Sequence, residues 1–320
     1  MLDNTIKYCR ALSHPLALER AYLKNFFSSV FDLPLVIIEA ESGYGKTTTL
    51  AALANREGHS IRWLTLDEAD RDPLSFLQNL LQSICGKTIT ENSLFSSSKQ
   101  ALELVLIALH DLAISSMIFD NFEVVAKSEA IITLLEQMID NLPAFTKVVV
   151  ASRKPANLRR GTRLGNRSAT LTKLDLRFDV EDILQYFLKA HNYQLSAKEA
   201  AFIAERTEGH PMSINLLGQL THNLPSYLRV DWERLRIGLD QESLASLLKE
   251  VILKLPRWSA QSVRQIREKG IKTMPDNASS QISDLLDTLA ERHCLVQQYW
   301  LDNSVINIPH ESFVHFAAAL

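Results

Sequence analysis

The chain has 320 residues, which suggests about two domains with room for a third. An apolar fraction of 46% can supply real cores and excludes a disordered chain. A formal net charge of −3 argues against a globally basic nucleic-acid binder, although a local basic patch stays open.

Residues 15–30 are predicted as a helix, with Leu16, Leu23, Phe26 and Phe27 facing inward. Leu35, Val36, Ile37 and Ile38 then form a short apolar run, the mark of a strand buried on both faces. It leads into Ala40-Glu41-Ser42-Gly43-Tyr44-Gly45-Lys46-Thr47, the phosphate-loop pattern G-x-x-x-x-G-K-[ST] with Ala in the first glycine position. Residues 48–56 can continue as a helix, so strand, tight loop and helix supply the context that the motif requires.

The residue types in this loop have chemical reasons. Gly43 and Gly45 let the backbone curl so that successive N–H groups face one anion, and the helix start adds its positive dipole end. Lys46 is placed to reach the β- and γ-phosphates of a nucleotide. The Thr47 hydroxyl is placed to ligate Mg²⁺, and Thr48 to contact an α-phosphate. Ala40 is tolerable where φ stays negative. Glu41 must point away from the phosphates, because like charges repel.

Residues 61–66 read as a second strand, 67–73 as an acidic turn and 74–85 as a helix. A Ser- and Thr-rich loop over 86–98 precedes a helix at 99–113. Residues 116–120, SMIFD, are an apolar strand ending in a carboxylate, and Asp120 at that tip suits a Mg²⁺-water ligand opposite the phosphate loop. Asn121 occupies the position where a second acid would polarise the attacking water, and Glu123 lies two residues further on. Efficient hydrolysis is therefore not implied, whereas binding is.

Residues 131–142 are a predicted helix and 146–151 a fourth strand, followed by Ser152 and Arg153. An Arg at this strand tip either senses a γ-phosphate or is a solvated surface group. The stretch 153–167 carries Arg153, Lys154, Arg159, Arg160, Arg163 and Arg167 and no acid; it could meet phosphate, a partner protomer or nucleic acid, and the favoured reading is a mobile basic loop with at most one nucleotide-facing Arg. Residues 170–174 are expected to form a fifth strand. Strands alternating with helices up to this point predict an α/β fold with a parallel sheet covered on both faces.

The pattern then changes to three successive helices at 180–191, 196–207 and 211–222. Between the last two, Glu208-Gly209-His210-Pro211 ends one helix with Gly and opens the next with Pro. This corner either is only that turn or presses on the base or sugar of a nucleotide. Further helices are expected at 242–255, 259–269 and 278–292, followed by a hairpin of 295–300 with 305–308. Helices followed by a hairpin suggest a winged-helix unit, and His310 begins a final helix.

Cys9, Cys85 and Cys294 lie far apart and form no C-x-x-C pair, which reads as reduced thiols in a cytoplasmic protein. No segment reaches the roughly 20 apolar residues of a membrane helix, so no membrane partner is expected.

Taken together, AESGYGKTTTL, IRWLTLDEAD, MIFDN, VVVASR, LDLRFDVEDI, TEGHP and the terminal LLDTLAERHCLVQQYWLDNSVINIPHESFVHF resemble the signal-transduction ATPases with numerous domains, the STAND proteins. The branch they most resemble is that of the maltose-regulon activator and its large LuxR-type relatives. The resemblance implies a P-loop nucleotide-binding domain over 1–172, a helical domain over 173–238 and a winged-helix domain over 239–320. It implies ATP/ADP and Mg²⁺ as ligands, with ADP held at rest and self-association after exchange for ATP. By position, Gly43, Tyr44, Gly45, Lys46, Thr47 and Thr48 would hold phosphates, Thr47 and Asp120 the metal, Arg153 the γ-phosphate, Pro211 adenine, and His310 the β-phosphate of ADP.

Asn121 departs from the paired acids of the pattern, and Glu19-Arg20 matches its N-terminal segment only loosely. Such proteins usually continue into a helical-repeat sensor for an inducer and an output domain, often a DNA-binding helix-turn-helix. This chain stops where the sensor would begin, as a truncated or a minimal member. An alternative is an AAA+ type DNA-remodelling or replication-initiation ATPase, whose helical lid would be expected to carry a nucleotide-contacting Arg. A metabolic phosphotransferase is a third alternative, without an evident acceptor site.

Overall fold

The computed structural model describes residues 7–13, 17–30, 32–57, 60–86, 97–158, 167–222, 296–301 and 304–309. The helices expected between 242 and 292, His310, and Arg159, Arg160 and Arg163 of the basic loop lie outside these residues.

The phosphate-loop region is built on five parallel strands, β1 (Leu35–Glu39), β2 (Ile61–Thr65), β3 (Ser116–Asp120), β4 (Lys147–Ser152) and β5 (Ser168–Thr172), in the order β2-β3-β4-β1-β5. In register, Leu35 of β1 stands beside Val148 of β4 on one side and Ser168 of β5 on the other. Alternate residues of these strands enter two separate cores. Leu35, Ile37, Phe119, Val148 and Val150 pack with α3 (Pro73–Cys85), α4 (Ser98–Asp111) and α5 (Glu129–Asp140). Val36, Ile38, Ile118, Val149 and Ala151 pack with α1 (Ala21–Ser29) and α2 (Lys46–Glu57). Burial on both faces explains the unbroken apolar runs, since neither parity of the strand meets water.

Of the expected boundaries that move, two change the packing or the turns. The first helix begins at Ala21 rather than near residue 15, because Arg20 stands in extended conformation as its N-cap. Phe27 is buried, and Leu23 and Phe26 pack against the same core. The fifth strand ends at Thr172, and Leu174 belongs instead to a short helix, α6 (Lys173–Leu176). Thr172 and Asp175 form a reciprocal capping box there, which satisfies backbone donors of the helix start and fixes the turn.

Beyond α6, α7 (Val180–His191) packs against both α8 (Ala197–Thr207) and α9 (Pro211–His222). Capping boxes at Asp179–Asp182 and Ser196–Glu199 start α7 and α8, each cap contributing about 1 kcal/mol. The expected hairpin is present as β6 (Val296–Leu301) and β7 (Ser304–Pro309), paired antiparallel. It meets the N-terminal segment, where the Leu12 N–H donates to the Gln298 carbonyl at 2.8 Å. The same segment runs past α2, with Arg10 donating to the Ala54 carbonyl and to Asn55. Among the described residues no helix is long and apolar enough to cross a membrane.

Candidate functional site

Because all five strands are parallel, their carboxyl ends share one edge of the sheet, where α/β folds place their ligand sites. β4 lies between β1 and β3. The loop after β1, Asp120 at the tip of β3 and Arg153 after β4 are therefore brought to one place.

The loop between β1 and α2 has the shape of an anion cradle. Gly43 and Gly45 adopt φ of +86° and +80°, a region that residues with a Cβ rarely enter. Ala40 keeps a negative φ and donates its N–H to the Ser152 carbonyl at 3.1 Å, so the missing first glycine costs nothing there. The Glu41 side chain turns outward to Lys173 at 3.2 Å and away from the cradle, as the chemistry required. The helix α2 starts at Lys46.

Lys46 donates its ammonium to the carbonyls of Ala40 and Glu41 at 2.7 and 2.9 Å. No carboxylate pairs with it directly among the described residues. Burial lowers its pKa, while Asp120 and Glu123 nearby pull in the other direction. A partly desolvated cation bonded to neutral carbonyls is suited to an incoming anion.

The Thr47 hydroxyl donates to Asp120 Oδ2 at 2.9 Å, and the Asn121 N–H donates to Asp120 Oδ1 at 2.9 Å. Burial raises the Asp120 pKa, and these two hydrogen bonds and Lys46 counter it. A buried carboxylate touching the loop hydroxyl is the donor pair expected for Mg²⁺. Oxygen ligands of this type suit a small hard cation that keeps several of its waters. Thr48 follows in the first turn of α2, half-buried.

Asn121 has φ of +64°, which Asn tolerates better than most residues, and its side-chain amide donates to the Leu66 carbonyl at 3.0 Å. Its amide thus ties the end of β3 to the residue following β2. Arg153 is partly exposed and binds Glu123, its Nε 3.0 Å from Glu123 Oε1. Glu123 comes from the short 3₁₀ turn Phe122–Val124 that follows β3.

The corner between α8 and α9 closes on the cradle from the other side. Pro211 is the first residue of α9 and is half-buried. His210 Nε2 lies 3.0 Å from the Ser42 carbonyl, and the Met212 N–H donates to the Gly43 carbonyl at 3.1 Å. Tyr44 meets the His210 ring edge-on with centroids 4.7 Å apart. The sequence alone singled out this corner for its Gly and Pro. It included His210 in that run but assigned it no role of its own, because a lone His beside a Pro carries no pattern. His310, the expected latch, lies outside the described residues.

No protein-family model matches the chain. It is 26% identical over 198 residues to the HTH-type transcriptional regulator MalT of Vibrio cholerae, covering 57% of this chain and 21% of that protein. It is 27% identical over 196 residues to the serine/threonine-protein kinase PknK of Mycobacterium tuberculosis, covering 57% of this chain and 18% of that one. The chain thus spans about a fifth of the length of these curated relatives. Among solved structures, a STAND protein with a tetratricopeptide repeat sensor from Pyrococcus horikoshii aligns over 96% of this chain and 43% of its own, with a TM-score of 0.59 and 14% identity. With a parallel five-stranded sheet and a phosphate loop after β1, the chain is a P-loop NTPase by fold and resembles the STAND-type signalling ATPases.

Proposed function

We propose that this chain is the ATP/ADP-binding switch module of a STAND-type signalling ATPase, of the kind that regulates transcription. It holds ADP in a closed resting form and opens to self-associate when ATP takes its place. The observation that carries this reading is the half-buried Lys46 ammonium, bonded to the Ala40 and Glu41 carbonyls, beside the Thr47–Asp120 pair in a glycine loop shaped for an anion. The likeness to MalT over the shared segment supports a regulatory role over a metabolic one.

In this reading the domains are 1–172 for the nucleotide, 173–238 for the helical lid and 239–320 for a winged helix. Lys46 turns from the Ala40 and Glu41 carbonyls to the β- and γ-phosphates, and Thr48 binds the α-phosphate. Thr47 and Asp120 hold Mg²⁺, which shields the phosphate charge. Pro211 contacts adenine, His310 binds the β-phosphate of ADP, and Arg153 senses the γ-phosphate. Asn121, held to Leu66, leaves turnover to be slow. The switch is a population shift, which requires ATP and ADP to differ in their contacts with the two forms. Reversing a 1:99 ratio takes about a 10⁴-fold difference in affinity.

The test is the nucleotide carried by the purified protein, released by denaturation and identified by chromatography. ADP is expected in the wild type and none in Lys46→Ala. Loss of one charged hydrogen bond set weakens binding roughly 10- to 150-fold. Stoichiometric nucleotide in the Lys46→Ala protein would overturn the reading.

A further inference from the structure

A loop that aims its N–H groups inward at an anion must turn carbonyls outward, and those carbonyls need donors of their own. Two of them find donors in the α8–α9 corner, more than 150 residues away in sequence. The Gly43 carbonyl takes the Met212 N–H at 3.1 Å, and the Ser42 carbonyl lies 3.0 Å from His210 Nε2.

The tautomer of His210 follows from its other side. Nδ1 accepts the Ser213 N–H at 3.3 Å and lies 2.8 Å from the Ser213 hydroxyl. A nitrogen that accepts a backbone N–H carries no proton, so in the neutral ring the proton sits on Nε2 and is donated to Ser42. The ring is buried at 7% exposure and edge-on to Tyr44. Space is used up at this contact: a Cβ on Gly43 would stand 2.6 Å from two atoms of the His210 ring and 3.0 Å from Met212 Cβ. Gly43 therefore serves both the loop's φ and the close approach of the lid.

The corner is itself pinned from behind. The Phe178 N–H donates to the Gly209 carbonyl at 2.8 Å, and a Cβ on Gly209 would reach within 2.3 Å of the Phe178 carbonyl. Arg20 holds that linker, donating to the carbonyls of Asp175, Leu176 and Arg177 and pairing with Asp182 at 2.9 Å. A displacement of the lid is thus passed to the phosphate loop through the His210 imidazole and the Met212 N–H.

We infer that His210 is a positioning residue that clamps the phosphate loop in its anion-binding shape from outside, so that the helical lid and the nucleotide site open together. This rests on the nucleotide-binding reading above. Nothing in it requires His210 to touch nucleotide.

The test uses a fluorescent ADP analogue on the full chain, with dissociation rate and affinity measured for wild type, His210→Ala, His210→Asn and His210→Gln. The Gln amide can reach the position of Nε2 and donate to Ser42, whereas the Asn amide reaches only the position of Nδ1. Ala and Asn are expected to release ADP about tenfold faster, the effect of roughly one hydrogen bond, with Gln within about twofold of wild type. Amide exchange of residues 43–46 should quicken in His210→Asn while the β-sheet stays protected. Equal release by all four proteins, or equal impairment of Ala, Asn and Gln, overturns the clamp. A wild type that binds no nucleotide overturns the functional reading and the clamp with it.

Discussion

The backbone N–H and the Nε of Arg153 both bind the carboxylate of Glu123, each at 3.0 Å. This places the residue proposed to sense a γ-phosphate in the grip of an acid two residues beyond Asn121, the position of the missing second carboxylate. A γ-phosphate has to compete with Glu123 for the guanidinium. Glu123→Ala should therefore raise affinity for ATP relative to ADP by up to about fivefold, the size of a partly exposed ion pair near 1 kcal/mol. The ratio of the two affinities, titrated in parallel, is the measurement, because removing a carboxylate near phosphates favours both nucleotides. An unchanged ratio removes Arg153 from the sensor role.

Thr47→Val keeps the volume of the side chain and deletes the hydroxyl that Asp120 accepts from. The buried carboxylate then lacks one of its two hydrogen bonds. Unfolding in urea should show a loss of about 1–3 kcal/mol in the nucleotide-free protein. ATP titrations with Mg²⁺ and with a chelator should no longer differ in the variant. A full Mg²⁺ enhancement in Thr47→Val would place the metal elsewhere.

His210 gives a pH dependence with a definite sign. Burial, the largest cause, holds its pKa below the ordinary histidine value; Lys46 acts the same way, while the Ser42 carbonyl and Glu41 oppose. Tyr44 is the remaining titratable group against the ring. The unfolded chain thus takes up a proton before the folded one does. The contribution of the neutral ring is complete above about pH 6.5 and is lost as pH falls below it. A proton on Nδ1 would also confront the Ser213 N–H. Melting temperature should fall more steeply from pH 7 to 5 in the wild type than in His210→Gln, and parallel curves would refute this.

Lys7 is buried at 2% exposure between Asp67 and Asp70, at 2.9 and 2.7 Å. Its carbonyl also accepts the Thr65 N–H at 2.8 Å, so the segment covers the edge strand β2. Lys7→Ala strands a fully buried Asp70, which costs about 3–5 kcal/mol. Chemical denaturation of Lys7→Ala beside Lys7→Met/Asp70→Leu checks this. The double variant should recover much of the loss, since an apolar pair of similar volume is often neutral.

The strands, the phosphate loop and the tips at Asp120 and Arg153 were legible before any coordinates. Their signals are local: a run of apolar residues, two glycines at fixed spacing, an acid after a strand. The capping box at Thr172 and Asp175 was also present in the sequence as T-x-x-D, yet the apolar pattern around it masked it and the fifth strand was placed two residues too late. Asn121 looked like a lost catalytic acid, whereas its left-handed backbone and its bond to Leu66 give it a structural reason of its own.

What the chain encoded by itself is the set of short pieces whose backbone geometry follows from neighbouring residues. The folded arrangement alone decided that His210 would meet Ser42 across 168 residues, that Lys7 would lie buried on two acids, and that Arg153 would face Glu123. Those pairings depend on strand order and on how the lid lies against the loop. Sheet order and docking are fixed by burial summed over whole surfaces, and no short stretch of residues carries that sum.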